Sequence, residues 1–99
     1  MIIVTGTLHA RADALAEVLA LSREHVARSR AEAGCLEHGV AIAADDPLQL
    51  VFFERWTDQA AIAAHLKLPA SRAFGKRVAA LVDRPPTLTL FDANPLALP

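Results

Sequence analysis

The chain has 99 residues, enough for one domain with a limited hydrophobic core. Its formal net charge is −1, with acidic and basic residues interspersed, so no basic run suggests a nucleic acid or an anionic membrane surface as a partner. The single cysteine excludes an internal disulfide framework and fits a reducing compartment.

Targeting and membrane segments are not apparent in the sequence. The N-terminal stretch MIIVTGTLHA lacks the cationic and long apolar regions of a signal peptide, and no apolar run approaches the ~18 residues of a membrane span. We therefore predict a soluble, cytoplasmic protein. Apolar residues make up 54% of the chain, above the usual ~45–50%, and this excess predicts an interface between subunits.

The first half of the chain predicts a strand, a long helix and a β-hairpin. Residues 2–8 are a short β-branched run. A helical pattern opens at Arg11 and ends at Gly34, a residue type common at helix C-termini. Residues 35–44 and 48–56 are two further strands, and the Asp-Asp-Pro turn between them predicts a hairpin.

The second half of the chain predicts two helical segments and a last strand. Thr57 or Asp58 caps a helix that runs to about Leu68, and Pro69 stands where a further helical segment can start. Residues 87–91 form a short strand. We expect the proline-containing tail, residues 93–99, to be loose or draped on a partner.

The element order β-α-β-β-α-β predicts an α+β, ferredoxin-like domain over residues 1–92, with a four-stranded antiparallel sheet and helices on one face. The strand at 50–56 is apolar at both alternating sets of positions, so both of its faces have to be covered. The helices cover one face, and the other would leave leucine, valine and phenylalanine in water. We therefore predict a homodimer in which a second copy covers that face.

The long helix has an inward stripe that is apolar except for two serines. By helical spacing the stripe consists of Leu15, Val18, Leu19, Ser22, Val26 and Ser29. Either the helix packs very close to the sheet at the serines, or the serines border a cavity. The pattern alone favours close packing.

Of the four histidines, His65 has the clearest inward position, because it shares a helix face with three apolar residues. It is either a core histidine, hydrogen-bonded to the backbone or to Glu54, or a functional histidine that faces a site. His38 has the strand parity of apolar neighbours and is also a candidate to line a site. We expect His9, at a strand end, and His25, at the margin of the helix stripe, to be solvated.

Two further residues of the central strand, Glu54 and Trp56, each allow a structural or a functional interpretation. Glu54 lies among apolar neighbours, and a buried carboxylate requires a partner, for which Arg72 and Arg30 are the candidates. Such an arginine either forms a structural ion pair or anchors an anionic group of a substrate, and we favour the structural role. Trp56 either fills the core or forms a pocket wall, and core filling is the better supported.

The spacing of the histidines does not favour a metal site. No His-x-His or His-x-x-x-His sequence occurs, and the four histidines lie on four different predicted elements. The isolated glycines form no phosphate-binding loop, and no Ser-His-Asp arrangement follows from spacing. We therefore expect no metal site.

Four segments, taken in their order along the chain, carry a resemblance to a known family. They are GTLHARADALAEVLAL, SRAEAGCLEHGVAIAADDP, LVFFERWTDQAAIAAHL and LPASRAF. The most specific parts are EAGC at 32–35, ERW at 54–56 and AH at 64–65. Together they resemble the antibiotic biosynthesis monooxygenase domain family over about residues 2–92.

This resemblance implies a dimeric α+β barrel with a ligand cavity between sheet and helices in each subunit. The characterised enzymes of the family oxygenate electron-rich phenols, naphthols or quinols with O₂ and without a metal or flavin. The chain departs from many members, which carry a second histidine and a phenylalanine where it has Ala70-Ser71.

The resemblance leads us to predict a cofactor-independent monooxygenase that acts on a small aromatic quinol or polycyclic phenol. This chemistry needs a base that converts the phenol to a phenolate, and a dry pocket that stabilises the developing anion. Histidine suits this role because its ordinary pKa lies near 6.5, and His65 is the expected base. The expected substrate contacts are Trp56, His38, Phe52, Phe53, Ser22, Phe74 and Arg72.

Two alternatives stay open. One is a non-catalytic ligand-binding or stress-associated domain on the same dimeric scaffold, which the missing second histidine favours somewhat. The other is an isomerase or lyase of the same fold, in which proton transfer at His65 would suffice without O₂. The fold by itself does not decide among these functions.

Overall fold

Four strands and three α-helices follow the predicted order in a computed structural model that describes residues 1–99, so the predicted ferredoxin-like α+β fold is confirmed. The helical part after the hairpin is split into two helices. The elements are β1 (Ile2–His9), α1 (Leu15–Arg30), β2 (Cys35–Ala43), β3 (Asp46–Trp56), α2 (Gln59–Lys67), α3 (Pro69–Ala79) and β4 (Thr87–Asp92), with a 3₁₀ turn at Ala12–Ala14 before α1. Residues 93–99 lie outside helices and strands.

The sheet has the strand order β2-β3-β1-β4, and every neighbouring pair is antiparallel. The predicted hairpin is the β2–β3 pair. In the register of the two central strands, Val4 lies opposite Glu54 and Gly6 opposite Phe52. Alternate residues of β3 from Leu50 to Trp56 are buried beneath the helices, so strand parity directs Glu54 and Trp56 towards the helical layer.

The space between sheet and helices contains an unusual share of polar groups. Six of the twenty buried residues are polar or charged, namely Ser22, His25, Ser29, His38, Glu54 and His65. The apolar part of the core is divided into two clusters, one of nine buried residues and one of four. Buried polar groups normally need hydrogen-bond partners. The side chains between sheet and helices must therefore be positioned more specifically than in a purely apolar core.

The two short helices begin where the sequence predicts. The Asp58 carboxylate accepts a hydrogen bond from the Ala61 N–H at 2.8 Å and so caps α2. Pro69 occupies the first turn of α3, where its missing N–H costs nothing. None of the helices is long and apolar enough to cross a membrane.

The predicted end of the long helix is wrong, because α1 ends at Arg30 rather than at Gly34. Gly34 instead lies in the turn before β2 with φ +84°, a left-handed conformation that favours glycine. Its carbonyl accepts a hydrogen bond from the Thr57 N–H at 2.9 Å. A Cβ atom at position 34 would lie 2.5 Å from the Cβ of Ala61, so this glycine allows α2 to pack close to the start of β2.

The outer face of the sheet is not covered by any helix of the chain. Phe53 and Phe91 are 40% and 49% exposed there, beside the partly buried Ile3 and Val51. Phe53 therefore lies on the opposite face of the sheet from the helices, where it cannot frame a site between the sheet and the helical layer.

Candidate functional site

Three histidines from three different elements meet between the sheet and the helices. The ring centroids of His25 and His65 are 5.1 Å apart, those of His25 and His38 are 5.3 Å apart, and those of His38 and His65 are 5.7 Å apart. One ring nitrogen of each lies within 4.8 Å of the other two. Their placement on separate elements does not keep these three histidines apart, because α1, β2 and α2 converge at this point.

Each histidine reaches the cluster through the periodicity of its own element. His38 faces inward on β2 opposite Glu54. His25 lies on α1 between Ser22 and Ser29, three residues after one and four before the other, so it continues their buried face. The prediction that His25 is solvated is therefore wrong. This three-and-four spacing is the signal that would have identified it.

His65 is held by a carboxylate that no sequence pattern indicates as part of the site. Nδ1 of His65 lies 2.8 Å from Oε1 of Glu32, in the turn after α1. A carboxylate acceptor requires Nδ1 to carry the proton, which leaves Nε2 of His65 with a free lone pair. For a core histidine we expect a hydrogen bond to a backbone group or to Glu54. Neither of these is the partner of the His65 ring.

Glu54 is buried and is stabilised by Trp56 and His38 instead of by an arginine. The Trp56 Nε1–H donates to Oε1 of Glu54 at 2.8 Å, and Nε2 of His38 lies 3.3 Å from the same oxygen. Burial alone would raise the pKa of Glu54, but the nearby His38 and the Trp56 N–H outweigh burial and hold the pKa below its ordinary value. The predicted pairing is wrong, because Arg72 is exposed and Arg30 donates to the His38 carbonyl at 2.9 Å.

Two buried side chains of this layer lack hydrogen-bond partners. Neither ring nitrogen of His38 forms a hydrogen bond, since the 3.3 Å approach to Glu54 lacks hydrogen-bond geometry. The hydroxyl of Ser22 is also unpartnered. Unpaired buried polar atoms are rare in folded proteins, and each one calls for a specific explanation.

A cavity of about 210 Å³ adjoins the histidine cluster. Its polar lining includes His25, His65 and Glu54, and its apolar walls include Phe52, Phe74 and Leu88. An apolar cavity of roughly 150 Å³ holds one benzene molecule, so this space suits a single aromatic ring. A larger groove of about 510 Å³ lies between α1 and β2, but its lining contains neither a histidine nor a carboxylate.

The residues expected to form the site fall into three groups. His65, Phe52 and Phe74 line the cavity. Trp56 and His38 pack around His65, with ring centroids 4.7 and 5.7 Å from it, and Ser22 is buried on α1 one turn before His25. Phe53 and Arg72 lie outside, on the outer sheet face and on the exposed side of α3 respectively.

His25 is kept neutral by its surroundings. Its ring stacks on Phe74 with the centroids 4.1 Å apart and the planes 6° from parallel. Burial, followed by the neighbouring His65 and His38, lowers the pKa of His25 from 6.5 to about 4. The cluster therefore contains at least one imidazole that is uncharged near neutral pH.

This lowered pKa predicts a specific acid sensitivity. The unfolded chain binds a proton at His25 below about pH 6.5 and the folded chain does not until about pH 4, so stability is lost as the pH falls through this window. The loss from His25 is at most about 3 kcal/mol. The variant His25→Phe keeps the stack on Phe74 and removes the titrating group. Urea unfolding of the metal-free protein between pH 7 and pH 4 should show that the free energy of unfolding falls less for His25→Phe than for the wild type. An equal fall in both proteins would contradict the lowered pKa of His25.

Comparisons with known proteins agree on one family. The sequence model of a family described as antibiotic biosynthesis monooxygenase matches residues 1–77. A crystal structure of an antibiotic biosynthesis monooxygenase is 30% identical, covering 96% of this chain and 100% of that one, with a TM-score of 0.88. The structure of Rv0793 from Mycobacterium tuberculosis is 28% identical with a TM-score of 0.90, covering 98% of each chain.

A curated relative with a comparable sequence identity is described only as uncharacterized. An uncharacterized protein of Synechocystis sp. is 27% identical over 90 residues, which are 91% of this chain and 61% of that protein. The chain thus spans about three fifths of the length of this relative.

Proposed function

The chain belongs to the antibiotic biosynthesis monooxygenase family, and on this premise we propose that it is a cofactor-independent monooxygenase that oxidises a small aromatic quinol with O₂. The observation that carries the proposal is His65 at the wall of the cavity, with Nδ1 fixed by Glu32 and Nε2 free. The volume of about 210 Å³ favours a single-ring quinol over a polycyclic phenol.

In the proposed reaction, His65 Nε2 accepts the proton of one quinol hydroxyl, and the Glu32 carboxylate stabilises the resulting imidazolium. The phenolate then gives one electron to O₂, and the two radicals combine to form a carbon–oxygen bond on the ring. The peroxide anion formed in this way takes the proton back from His65, and loss of water from the resulting hydroperoxide yields a hydroxylated quinone. One quinol and one O₂ thus give one hydroxyquinone and one H₂O.

The walls of the cavity support this chemistry in two ways. Phe52, Phe74 and Leu88 place apolar surface around the reacting groups, and an apolar wall strengthens the electrostatic interactions of these groups. Glu54 lines the same cavity and is ionised because of its lowered pKa, so it is a second acceptor for a quinol hydroxyl. A hydroquinone, with a hydroxyl at each end of the ring, matches a cavity with two proton acceptors.

A proton-transfer isomerase is the second candidate. His65 and Glu54 line the same cavity, and together they would move a proton between two positions of a substrate.

The oxidation is tested by incubating chelator-treated protein with hydroquinone, methylhydroquinone and a naphthohydroquinone in an oxygen electrode. We expect equimolar O₂ consumption with the single-ring quinols and slower consumption with the bicyclic one. Consumption no faster than autoxidation would overturn the proposal, and substrate conversion without O₂ uptake would support the isomerase.

We further propose that the protein acts as a homodimer whose subunits cover each other's outer sheet faces. Burying the apolar patch around Phe53 and Phe91 removes surface that costs about 25 cal/mol per Å² in water. We expect sedimentation at micromolar concentration to give about twice the chain mass of 10.6 kDa. Phe53→Lys should shift this mass towards the monomer.

The matched control for the dimer is Leu68→Lys, which introduces the same charge at a leucine that is 39% exposed on the helical side. It should leave the mass unchanged. A monomeric wild type, or equal effects of the two substitutions, would contradict the proposed interface.

A further inference from the structure

We propose that His25, His38 and His65 form a binding site for one divalent transition-metal ion, for which Zn²⁺ is the fitting choice. This inference goes beyond the proposed oxidation and does not depend on it. It rests on the geometry of the three rings, the unpartnered nitrogens of His38 and the carboxylates that hold the rings.

The three rings already have the separations that a shared ion requires. With Zn–N bonds of about 2.0–2.1 Å and tetrahedral angles, the ring centroids of two zinc-bound histidines lie about 5.2 Å apart. The observed separations are 5.1, 5.3 and 5.7 Å. Nitrogens on one tetrahedral ion are about 3.3 Å apart, so the present spacing of up to 4.8 Å closes by small ring rotations.

An ion would also supply the partner that His38 lacks. The side chain of His38 is 0% exposed, and neither of its ring nitrogens has a hydrogen bond. Leaving a buried polar group unpaired destabilises the fold, and the net free energy of unfolding of a small domain is only a few kcal/mol. Coordination through one nitrogen would satisfy the ring, since the other nitrogen lies near Glu54.

In two of the three histidines, a carboxylate oxygen lies close to one ring nitrogen. Nδ1 of His65 is 2.8 Å from Glu32, and Nε2 of His38 is 3.3 Å from Glu54. Metal-bound histidines regularly donate their second ring N–H to a carboxylate, which fixes the ring and raises its basicity. The hydrogen bond to Glu32 leaves Nε2 of His65 as a donor atom to the metal. A small rotation of the His38 ring would turn its 3.3 Å approach to Glu54 into a hydrogen bond and leave Nδ1 of His38 as the second donor atom. The two negative charges would balance a divalent cation in a buried site.

The donor set identifies the class of ion. Three neutral imidazoles suit zinc and its neighbours among the divalent transition metals, whereas Ca²⁺ and Mg²⁺ prefer oxygen ligands. The cavity of about 210 Å³ beside His25 and His65 leaves room for water or another small molecule as a fourth ligand. Zn²⁺ on Nε2 of His65 would occupy the atom proposed as proton acceptor, so added Zn²⁺ should slow the quinol oxidation.

The test uses metal binding rather than activity. The full chain is stripped with a chelator and titrated with Co²⁺, whose visible absorption reports four-coordinate geometry, and with Zn²⁺ in a calorimeter. We expect one ion per chain and intense Co²⁺ absorption. His25→Phe, which keeps the stack on Phe74, should weaken binding at least about 100-fold, and Glu32→Gln about 10–100-fold.

The matched control is His9→Gln, because His9 lies outside the cluster between Asp46 and Asp83. It should bind Zn²⁺ like the wild type, and circular dichroism of each variant checks that it is folded. Less than half an ion per chain, or equal losses in His9→Gln and His25→Phe, would overturn the site. A wild type that oxidises the quinol but binds no Zn²⁺ would refute the metal site alone. A wild type that binds Zn²⁺ but shows no quinol oxidation after chelator treatment would refute the proposed function alone.

Discussion

Replacing His65 by glutamine is expected to slow hydroquinone oxidation by about 10²–10⁴-fold, the usual contribution of a positioned general base. Glutamine has a similar size and its amide can still donate to Glu32, so the contact that holds the side chain is retained. What it lacks is a basic nitrogen that accepts the phenol proton. Initial rates of O₂ uptake on chelator-treated protein measure the effect.

Two further variants make this experiment specific. Glu32→Gln keeps His65 but removes the charge that stabilises the imidazolium, so it should give a smaller loss of rate. His9→Gln changes a histidine outside the site and should leave the rate unchanged. Equal rates for the wild type and His65→Gln, with both folded, would remove His65 from the mechanism.

The substitution Gly34→Ala is expected to destabilise the protein by about 2–5 kcal/mol. Alanine at φ +84° is strained by about 1–2 kcal/mol, and overpacking a tight contact costs a further ~1–3 kcal/mol. The added Cβ would lie 2.5 Å from the Cβ of Ala61 and 2.8 Å from Oγ1 of Thr57. The backbone must shift to relieve the contact with Ala61, because its Cβ is attached directly to the backbone of α2 and cannot rotate away.

Gly75→Ala provides the matched control for this prediction. Gly75 lies inside α3, and a Cβ there would have no neighbour within 4 Å. Alanine should therefore stabilise the helix by about 0.5–1 kcal/mol. Urea unfolding at neutral pH measures both variants. A loss below 1 kcal/mol for Gly34→Ala would show that α2 does not pack on the turn before β2 as closely as described.

Gly34 also links stability to the site, since it lies two residues after Glu32 and contacts the helix that carries His65. A shift of α2 away from this turn would lengthen the hydrogen bond between Glu32 and His65. Gly34→Ala that remains folded should thus lose part of the quinol oxidation, while Gly75→Ala should not.

Local signals in the sequence determine the elements and the direction of their side chains. The alternation of β3 places Glu54 and Trp56 under the helices, and the cap at Asp58 and the proline at 69 set the starts of α2 and α3. The element order then gives the ferredoxin-like sheet. These features depend on neighbours within a few residues, so they can be read without knowing the fold.

Contacts between elements were decided only by the tertiary structure. Glu32 and His65 are 33 residues apart, and their hydrogen bond depends on how closely α2 approaches the turn after α1, which no periodicity encodes. The same is true of His25 meeting His38 and His65, and of Glu54 pairing with Trp56 and His38 instead of an arginine. A sequence pattern fixes which way a side chain points, but the partner it meets depends on the relative placement of whole elements, which packing in three dimensions sets.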